Sequence, residues 1–445
     1  METVNMKNIF KITILSATCL LADIMLCSGQ PTDKDPEKLL EQLVAAKWGK
    51  ENTLLPSSKV LVQYEEDLGE RWVVNFETGD VTLECLWKPE VSLEDPDVVN
   101  SMICAVSNLY MSIPVLPELM VKEQQRKGFI PALNISPVET EYVIKKGDTL
   151  SEISEHLRVP IKEIMLVNGI TNPHRIKIGQ RLTIPAAPPH MHAHSNKHAQ
   201  AKESLLLGQL KDPQSGEIIT SETIGSFGRQ IVQQNGIQEK IIRGADGRTR
   251  KLTRVKLTLA ENHLQTRARR FYPLIREHAK RFGHDPAVIM ALIHTESAFN
   301  PQASSGANAY GLMQVVPSSG GREADKWLHR KDIKPSPSYL LNPNQNLELG
   351  NAYIKILKDR TFSGVKNPES RLYCAIAAYN GGSGNVGKAF TGRKSVQTSL
   401  STINSKSPAE VRRRLEKNAP YKETRKYVKQ VLDRVAIYRN PQWQQ

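Results

Sequence analysis

The sequence predicts a multidomain α+β protein: an all-α C-terminal domain, a small βααβ unit near the middle, and a mixed α/β N-terminal domain split around that unit. Three observations predict it. From residue 262 onward helix signals recur with no alternating strand pattern between them. Glu141 to Pro185 parses as strand, helix, helix, strand. RWVVNFETGDVTLECLW and RKLTRVKLTLA alternate apolar and polar residues, the period of half-buried strands. With 445 residues, 39% of them apolar and 24% charged, there is material for two to four globular domains. The formal net charge of +14 calls for an acidic partner: a nucleic acid, an anionic membrane face or an acidic cell-wall polymer. No nucleic-acid motif accompanies the charge, and no nucleic-acid partner is expected.

Residues 1–29 have the shape of an export signal. Lys7 and Lys11 precede an apolar run from Ile12 to Leu26. The run is shorter than the ~20 residues needed to span a bilayer, and Asp23 interrupts it. Cys27 is a candidate lipidated cysteine, which would anchor the chain in the outer membrane. Cys19 competes with it, and simple cleavage after Gly29 is the third option. Cys85, Cys104 and Cys374 are too few for a disulfide scaffold. Cys374 lies in an apolar helical run and reads as a buried thiol, while a Cys85–Cys104 bridge stays open.

Residues 31–130 open with a helix from Pro36 to Lys47. A hairpin turning at Thr78-Gly79-Asp80 and a helix from about Asp97 follow. Residues 204–260 resume this texture, with a turn at Ala245-Asp246-Gly247. Neither part holds a catalytic cluster, so a structural or partner-binding domain is expected.

The βααβ unit occupies residues 141–185. Tyr142 to Lys145 forms its first strand, and Gly147-Asp148 makes the turn. Leu150, Ile153 and Leu157 share a helix face; Pro160 starts a second helix that ends at Asn168-Gly169. Arg181 to Pro185 closes the unit. Residues 186–203 form a linker by composition. Its His190, His192, His194 and His198 could hold a metal, but a plain spacer is the simpler reading, since no acids or cysteines accompany them. No metal site or cofactor is assigned.

The C-terminal domain spans 262–440. Helices are expected over FYPLIREHAKRFG, 344–360, 369–379, 408–416 and 421–438. At its centre, Asp285-Pro286 caps a helix that Asn300-Pro301 terminates. Val288, Ile289, Leu292 and Ile293 put Glu296 on the apolar face, near the helix C-terminus. Desolvation and the negative end of the helix dipole both disfavour its ionised form, as a general acid requires. Glycines around Ser305 and at 381, 382, 384 and 387 would let backbone approach a ligand.

Residues 141–185 resemble the LysM module, through YVIKKGDTLSEIS, Leu166-x-Asn168 and Ile178-Gly179-Gln180-Arg181-Leu182-x-Ile184-Pro185. The resemblance implies binding of N-acetylglucosamine-containing glycan, with Gly147, Asp148, Thr149, Asn168, Gly169 and Ile170 near the ligand. The C-terminal domain resembles lytic transglycosylases of goose-lysozyme-like fold. The motifs are Glu296-Ser297, Gly311-Leu312-Met313-Gln314, Ala378-Tyr379-Asn380 and Pro420-Tyr421-x-Glu423-Thr424-x-x-Tyr427. The stretch AYGLMQVVPSSGGREAD and the VNFETG hairpin are similar to the membrane-bound lytic murein transglycosylase C subfamily. The LysM-like unit departs from that subfamily, interrupting its N-terminal region.

These resemblances imply peptidoglycan glycan strands as partner and a single-carboxylate mechanism, with Glu296 as acid and then base. They imply sugar-side roles for Ser297, Ser305, Gly311, Met313, Gln314, Tyr379, Asn380, Tyr421 and Glu423. Ser305 and Tyr379 would orient Glu296 or the substrate N-acetyl group, and Met313 would pack on a sugar face. Met313 and Tyr427 could equally be core, and Ser297 a helix-end cap. A hydrolytic muramidase assisted by Glu423 or Asp325 remains an alternative, as does a non-catalytic glycan-binding protein.

Overall fold

A computed structural model describes residues 36–65, 67–112, 140–144, 150, 168, 170, 176, 179–184, 204–330 and 332–443. The expectations for 1–29, Cys27, the linker 186–203 and Gly147, Asp148, Thr149 and Gly169 lie outside these residues. The described residues fall in two compact units, one within residues 120–202 and one holding the rest. The architecture is multidomain α+β.

The N-terminal region builds an antiparallel sheet from strands on both sides of the 120–202 unit. Its elements are α1 (Pro36–Trp48), β1 (Val60–Tyr64), β2 (Glu70–Asn75), β3 (Asp80–Trp87) and α2 (Pro96–Ser112). Beyond that unit, which holds β4 (Thr140–Val143) and β5 (Arg181–Ile184), come α3 (Ile224–Asn235), β6 (Gln238–Arg243) and β7 (Thr249–Thr258). The strand order is β1-β2-β3-β7-β6, so β3 pairs with a strand more than 160 residues away, Leu83 facing Val255. Alternation buries Trp72, Val74, Val81, Leu83 and Val255. The amphipathic α1 covers β6 and β7 through Leu40, Val44, Trp48, Ile242 and Leu252.

Three charges stand side by side across this sheet, since Arg71 pairs with Glu84 and Glu84 with Arg254 in register. Arg71 Nε donates to Glu84 Oε2 over 2.5 Å, and Arg254 Nε to Glu84 Oε1 over 2.6 Å. Arg71 and Glu84 are almost fully buried, and the Arg71 guanidinium lies 3.9 Å from the Trp48 ring centroid. Alternation alone cannot announce such a pair. Cys85 is buried on β3 and Cys104 exposed on α2; both are thiols, not the bridge left open above.

In the other unit β4 (Thr140–Val143) pairs antiparallel with β5 (Arg181–Ile184), Tyr142 facing Leu182. Ile144, Leu150 and Leu182 are buried there.

The C-terminal domain is a helical assembly around α5 (Pro286–Ser297), preceded by α4 (His263–Phe282). The tiny pair β8 (Ser304–Ser305) and β9 (Ala309–Tyr310) follows, so the domain is not purely helical. Then come α6 (Arg322–His329), α7 (Pro337–Leu341), α8 (Pro343–Ile356), α9 (Pro368–Gly381), α10 (Ser383–Thr391), α11 (Val396–Asn404), α12 (Pro408–Asn418) and α13 (Lys422–Tyr438). Several differ from expectation. Helix α4 starts eight residues before Phe271 and carries Pro273 inside it. Its arginine-rich start hides the pattern, because Arg267 is fully buried and satisfied by tertiary partners. The glycine-rich stretch after Tyr379 ends one helix and starts another. Gly382 supplies the turn at φ +81°, while a Cβ on Gly387 would lie 2.3 Å from Ser395 O. Gly387 is thus required by the packing of the chain against Ser395.

Replacing Glu84 by Gln leaves the buried Arg71 without its counter-charge and takes the anion from the partly exposed Arg254. A loss of about 3 kcal/mol is expected, measured as a lowered unfolding midpoint in urea.

Candidate active site

Helix α5 is made by its caps and its apolar content. Asp285 accepts from the Ala287 amide over 2.9 Å, with Pro286 in the first turn. It ends at Ser297, earlier than Asn300-Pro301 required. Ala298 (φ +49°) and Phe299 (φ +61°) are both left-handed, and the Ala298 amide donates back to His294 O. A non-glycine pair in this conformation persists only where packing over-determines it; both side chains are fully buried, and the buried Arg267 donates to Ala298 O over 3.2 Å.

Every residue from Ala287 to Ser297 is buried except Glu296, which is half-buried. Tyr427 of α13 donates its hydroxyl to Glu296 Oε1 over 2.6 Å. Burial pushes the Glu296 carboxyl up to about 7, and the charge of Glu423 adds to the rise. The Tyr427 hydrogen bond and the Lys59 ammonium pull the other way, less strongly. Tyr427 and Tyr379 are themselves raised well above the usual phenol range by burial and by Glu296, so both stay protonated donors. A carboxyl that titrates near neutrality can both give and take a proton.

The loop facing this carboxyl is held by buried polar groups. Ser297 is fully buried, and its hydroxyl donates to Leu312 O (2.8 Å), tying the helix end to the loop. Asn346 of α8 accepts from the Met313 amide (2.8 Å) and donates to Tyr310 O (2.7 Å) and Leu340 O (2.8 Å). The Tyr379 hydroxyl donates to Met313 O over 2.8 Å. Gly311 is required for space as well as φ (+73°), because a Cβ there would sit 2.3 Å from Leu340 O.

The expected residues therefore divide. Glu296, Tyr379, Asn380 and Glu423 converge on one region through α5, α9 and α13. Asn380 accepts from Thr424 (2.8 Å) and donates to Glu423 (3.3 Å), while Tyr421 is 55% exposed at the start of α13. Ser297, Gly311, Met313 and Gln314 are instead buried supports. Met313 is fully buried against Gly350 and Asn351, so its side chain offers no face to a sugar. Gln314 spends its amide on Ala303 O and Gly311 O. Ser305 accepts from the Ala309 amide within the small hairpin. Tyr427, which periodicity leaves as core, is the direct donor to Glu296, and Asn346 carries no motif at all. Asp325 bonds His329 on its own helix. Asn168 and Ile170 are partly buried.

Comparison with known proteins matches three family profiles. Residues 273–401 match the transglycosylase SLT domain, 142–185 the LysM domain, and 34–97 the N-terminal domain of membrane-bound lytic murein transglycosylase C. A membrane-bound lytic murein transglycosylase C of Pectobacterium atrosepticum is 35% identical over 249 residues, 56% of this chain and 67% of that protein. One of Actinobacillus pleuropneumoniae serotype 5b is 40% identical over 229 residues, 51% of this chain. The chain spans 60% of the length of that second relative. Among solved structures, the 70 kDa soluble lytic transglycosylase of Escherichia coli is 27% identical, with a TM-score of 0.30 over 40% of this chain and 25% of that one.

The raised Glu296 carboxyl has a stability signature. Its proton is held more tightly in the folded chain than at the ordinary value of 4.5, so its contribution is intact below that pH and is lost as pH rises through about 7. Glu296→Gln removes this loss. The variant should match the parent in urea unfolding at acid pH and exceed it by about 3 kcal/mol at pH 8.

Proposed function

The chain belongs to the membrane-bound lytic murein transglycosylase C family, and from that premise we propose that it cleaves peptidoglycan with Glu296 as sole acid and base. The substrate is the β-1,4 bond between N-acetylmuramic acid and N-acetylglucosamine. Protonated Glu296 gives its proton to the bridging oxygen as the C1–O bond breaks, the electron pair leaving with that oxygen. The substrate's own N-acetyl oxygen stabilises the positive charge at C1. The carboxylate then takes the proton of the muramoyl C6 hydroxyl as its oxygen bonds to C1. The product is a 1,6-anhydro sugar, and no water is consumed.

One observation carries this reading: a carboxyl raised to about 7, met among the described residues by a single protonated donor, Tyr427. Ordinary glycosidases use two acids, one on each side of the bond. Glu423, whose charge reaches Glu296, accepts from the Asn380 amide. It is the group a hydrolytic muramidase would need as its second acid. Tyr379, Asn380, Tyr421 and Glu423 contact the glycan, and Ser305 flanks it; Ser297, Gly311, Met313 and Gln314 shape the loop beneath.

The remaining parts fit the same substrate. Residues 141–185 act as the glycan-binding LysM domain, with Gly147, Asp148, Thr149, Asn168, Gly169 and Ile170 at the sugar. Residues 1–29 direct export, and lipidation of Cys27 holds the enzyme at the outer membrane, facing the wall in the periplasm. A net charge of +14 favours an anionic wall polymer.

Mass spectrometry of digested sacculi tests the chemistry. Anhydro-muramoyl ends, lighter by one water than reducing ends, are expected; reducing ends alone would establish the muramidase instead. Glu296→Gln should lower the rate at least ~1,000-fold while sacculus pelleting still retains the protein. Tyr427→Phe removes a hydrogen bond to the carboxylate, so the alkaline limb of the pH–rate profile should move to higher pH.

A further inference from the structure

The N-terminal region reaches the catalytic helix. Its β2–β3 turn carries Glu77, whose Oε1 accepts from Lys59 Nζ over 2.7 Å and from Arg434 Nη2 over 3.1 Å. Arg434, on α13, donates its other arm to Thr295 Oγ1 over 3.0 Å. Thr295 is the residue before Glu296, and its hydroxyl in turn donates to Ala291 O. The same turn is gripped a second time, because the buried Arg267 of α4 donates both to Phe76 O and to Ala298 O, two residues after Glu296. The helix end bearing the carboxyl is thus bracketed by two arginines that each also hold one hairpin. Arg434 and Lys59 are mostly covered, with 15% and 20% of their side chains exposed, so their charges are screened less than surface charges would be.

We propose that Lys59 and Glu77 are positioning residues of the catalytic centre, Lys59 acting on the charge environment of Glu296 across space and Glu77 on its orientation through Arg434 and Thr295. This rests on the reading of Glu296 as the acid and base. The physical need is plain. A carboxyl that must be protonated in the first step and ionised in the second cannot be buried without some compensating positive charge. The charged and titratable groups around it are few. Helix α13 presents Tyr427, Glu423 and Arg434; α9 presents Tyr379; α4 presents Arg267; α5 itself carries His294, which burial depresses to about 3 and so keeps neutral. Lys59 is the cation whose charge acts on Glu296 directly, and it also acts on His294. Glu77 neutralises part of that charge and fixes where it sits. Neither residue belongs to the helical domain. The N-terminal region, for which the sequence offered a structural or partner-binding role, thereby completes the electrostatics of the site.

The test uses the full chain and purified glycan strands, reading release of anhydro ends against pH for the parent, Lys59→Met, Lys59→Arg and Glu77→Gln. Loss of the Lys59 charge should move the alkaline limb up by about half a pH unit, and loss of the Glu77 charge should move it down by a similar amount. Lys59→Arg should restore the parent profile. A purely structural role would lower the rate of all three without moving the limb, or move both charge-removing variants the same way, and either result overturns the proposal. Should one variant fail to fold, the sign of the other still decides. In parallel, the Glu296 carboxyl band, isolated as the infrared difference between parent and Glu296→Gln, is titrated without turnover. Its displacement in the variants supports the proposal and its constancy overturns it. Absence of anhydro ends from the parent would sink the functional reading alone, leaving the infrared titration to judge Lys59 and Glu77.

Discussion

The structure depends on one desolvated carboxyl. Beyond the opening proline, Glu296 is the one residue of an otherwise buried helix to keep a strip of exposure, and the surroundings are built to hold it there. Removing water from a carboxylate is costly, so the group either finds donors or keeps its proton. Here it does some of each. One tyrosine hydroxyl reaches it, and burial outweighs that bond, leaving the equilibrium near neutral pH. A second donor or a direct ion pair would drop the acid back into its ordinary range.

Much of the surrounding polar chemistry is scaffolding for that one group. Ser297 joins the helix end to the following loop, Asn346 holds that loop from beneath, and Tyr379 pins it from above. Each of these side chains satisfies backbone groups that a buried loop would otherwise leave unpaired. Gly311 is there because Leu340 O and Asn346 occupy the space of a Cβ. The division of labour matters for function. Motif residues that look like substrate contacts in the sequence are partly a buried frame for the more exposed ones.

The same logic extends past the helical domain. Arg267 is fully buried, and burial lowers it to about 9, so it stays largely charged while donating to three backbone or amide oxygens. Its partners are Ala298 just past α5, Phe76 at the β2–β3 turn, and Gln209, which makes the N-terminal sheet and the Glu296 helix parts of one packed body. The sheet of that body is continuous although its chain is interrupted by residues 120–202, because β3 and β7 pair in unbroken register.

Much was legible without coordinates. The α+β division, the helix of Glu296 and the strands around Thr78-Gly79-Asp80 follow from local periodicity and turn chemistry, which act over a few residues. The acid itself was readable because an apolar face carrying one carboxylate is a local pattern. Helices α6, α10 and α11 and the arginine-rich start of α4 were not, since their glycines, charges and short lengths conceal the period. What only tertiary structure decided is the environment of that acid. Tyr427 lies 131 residues from Glu296, Asn346 33 residues from Met313, and Glu77 357 residues from Arg434. Which tyrosine is core and which is donor, and which motif residue faces the cleft, are settled by packing between helices. The sequence determined that a buried acid would exist; the fold determined how strongly it holds its proton.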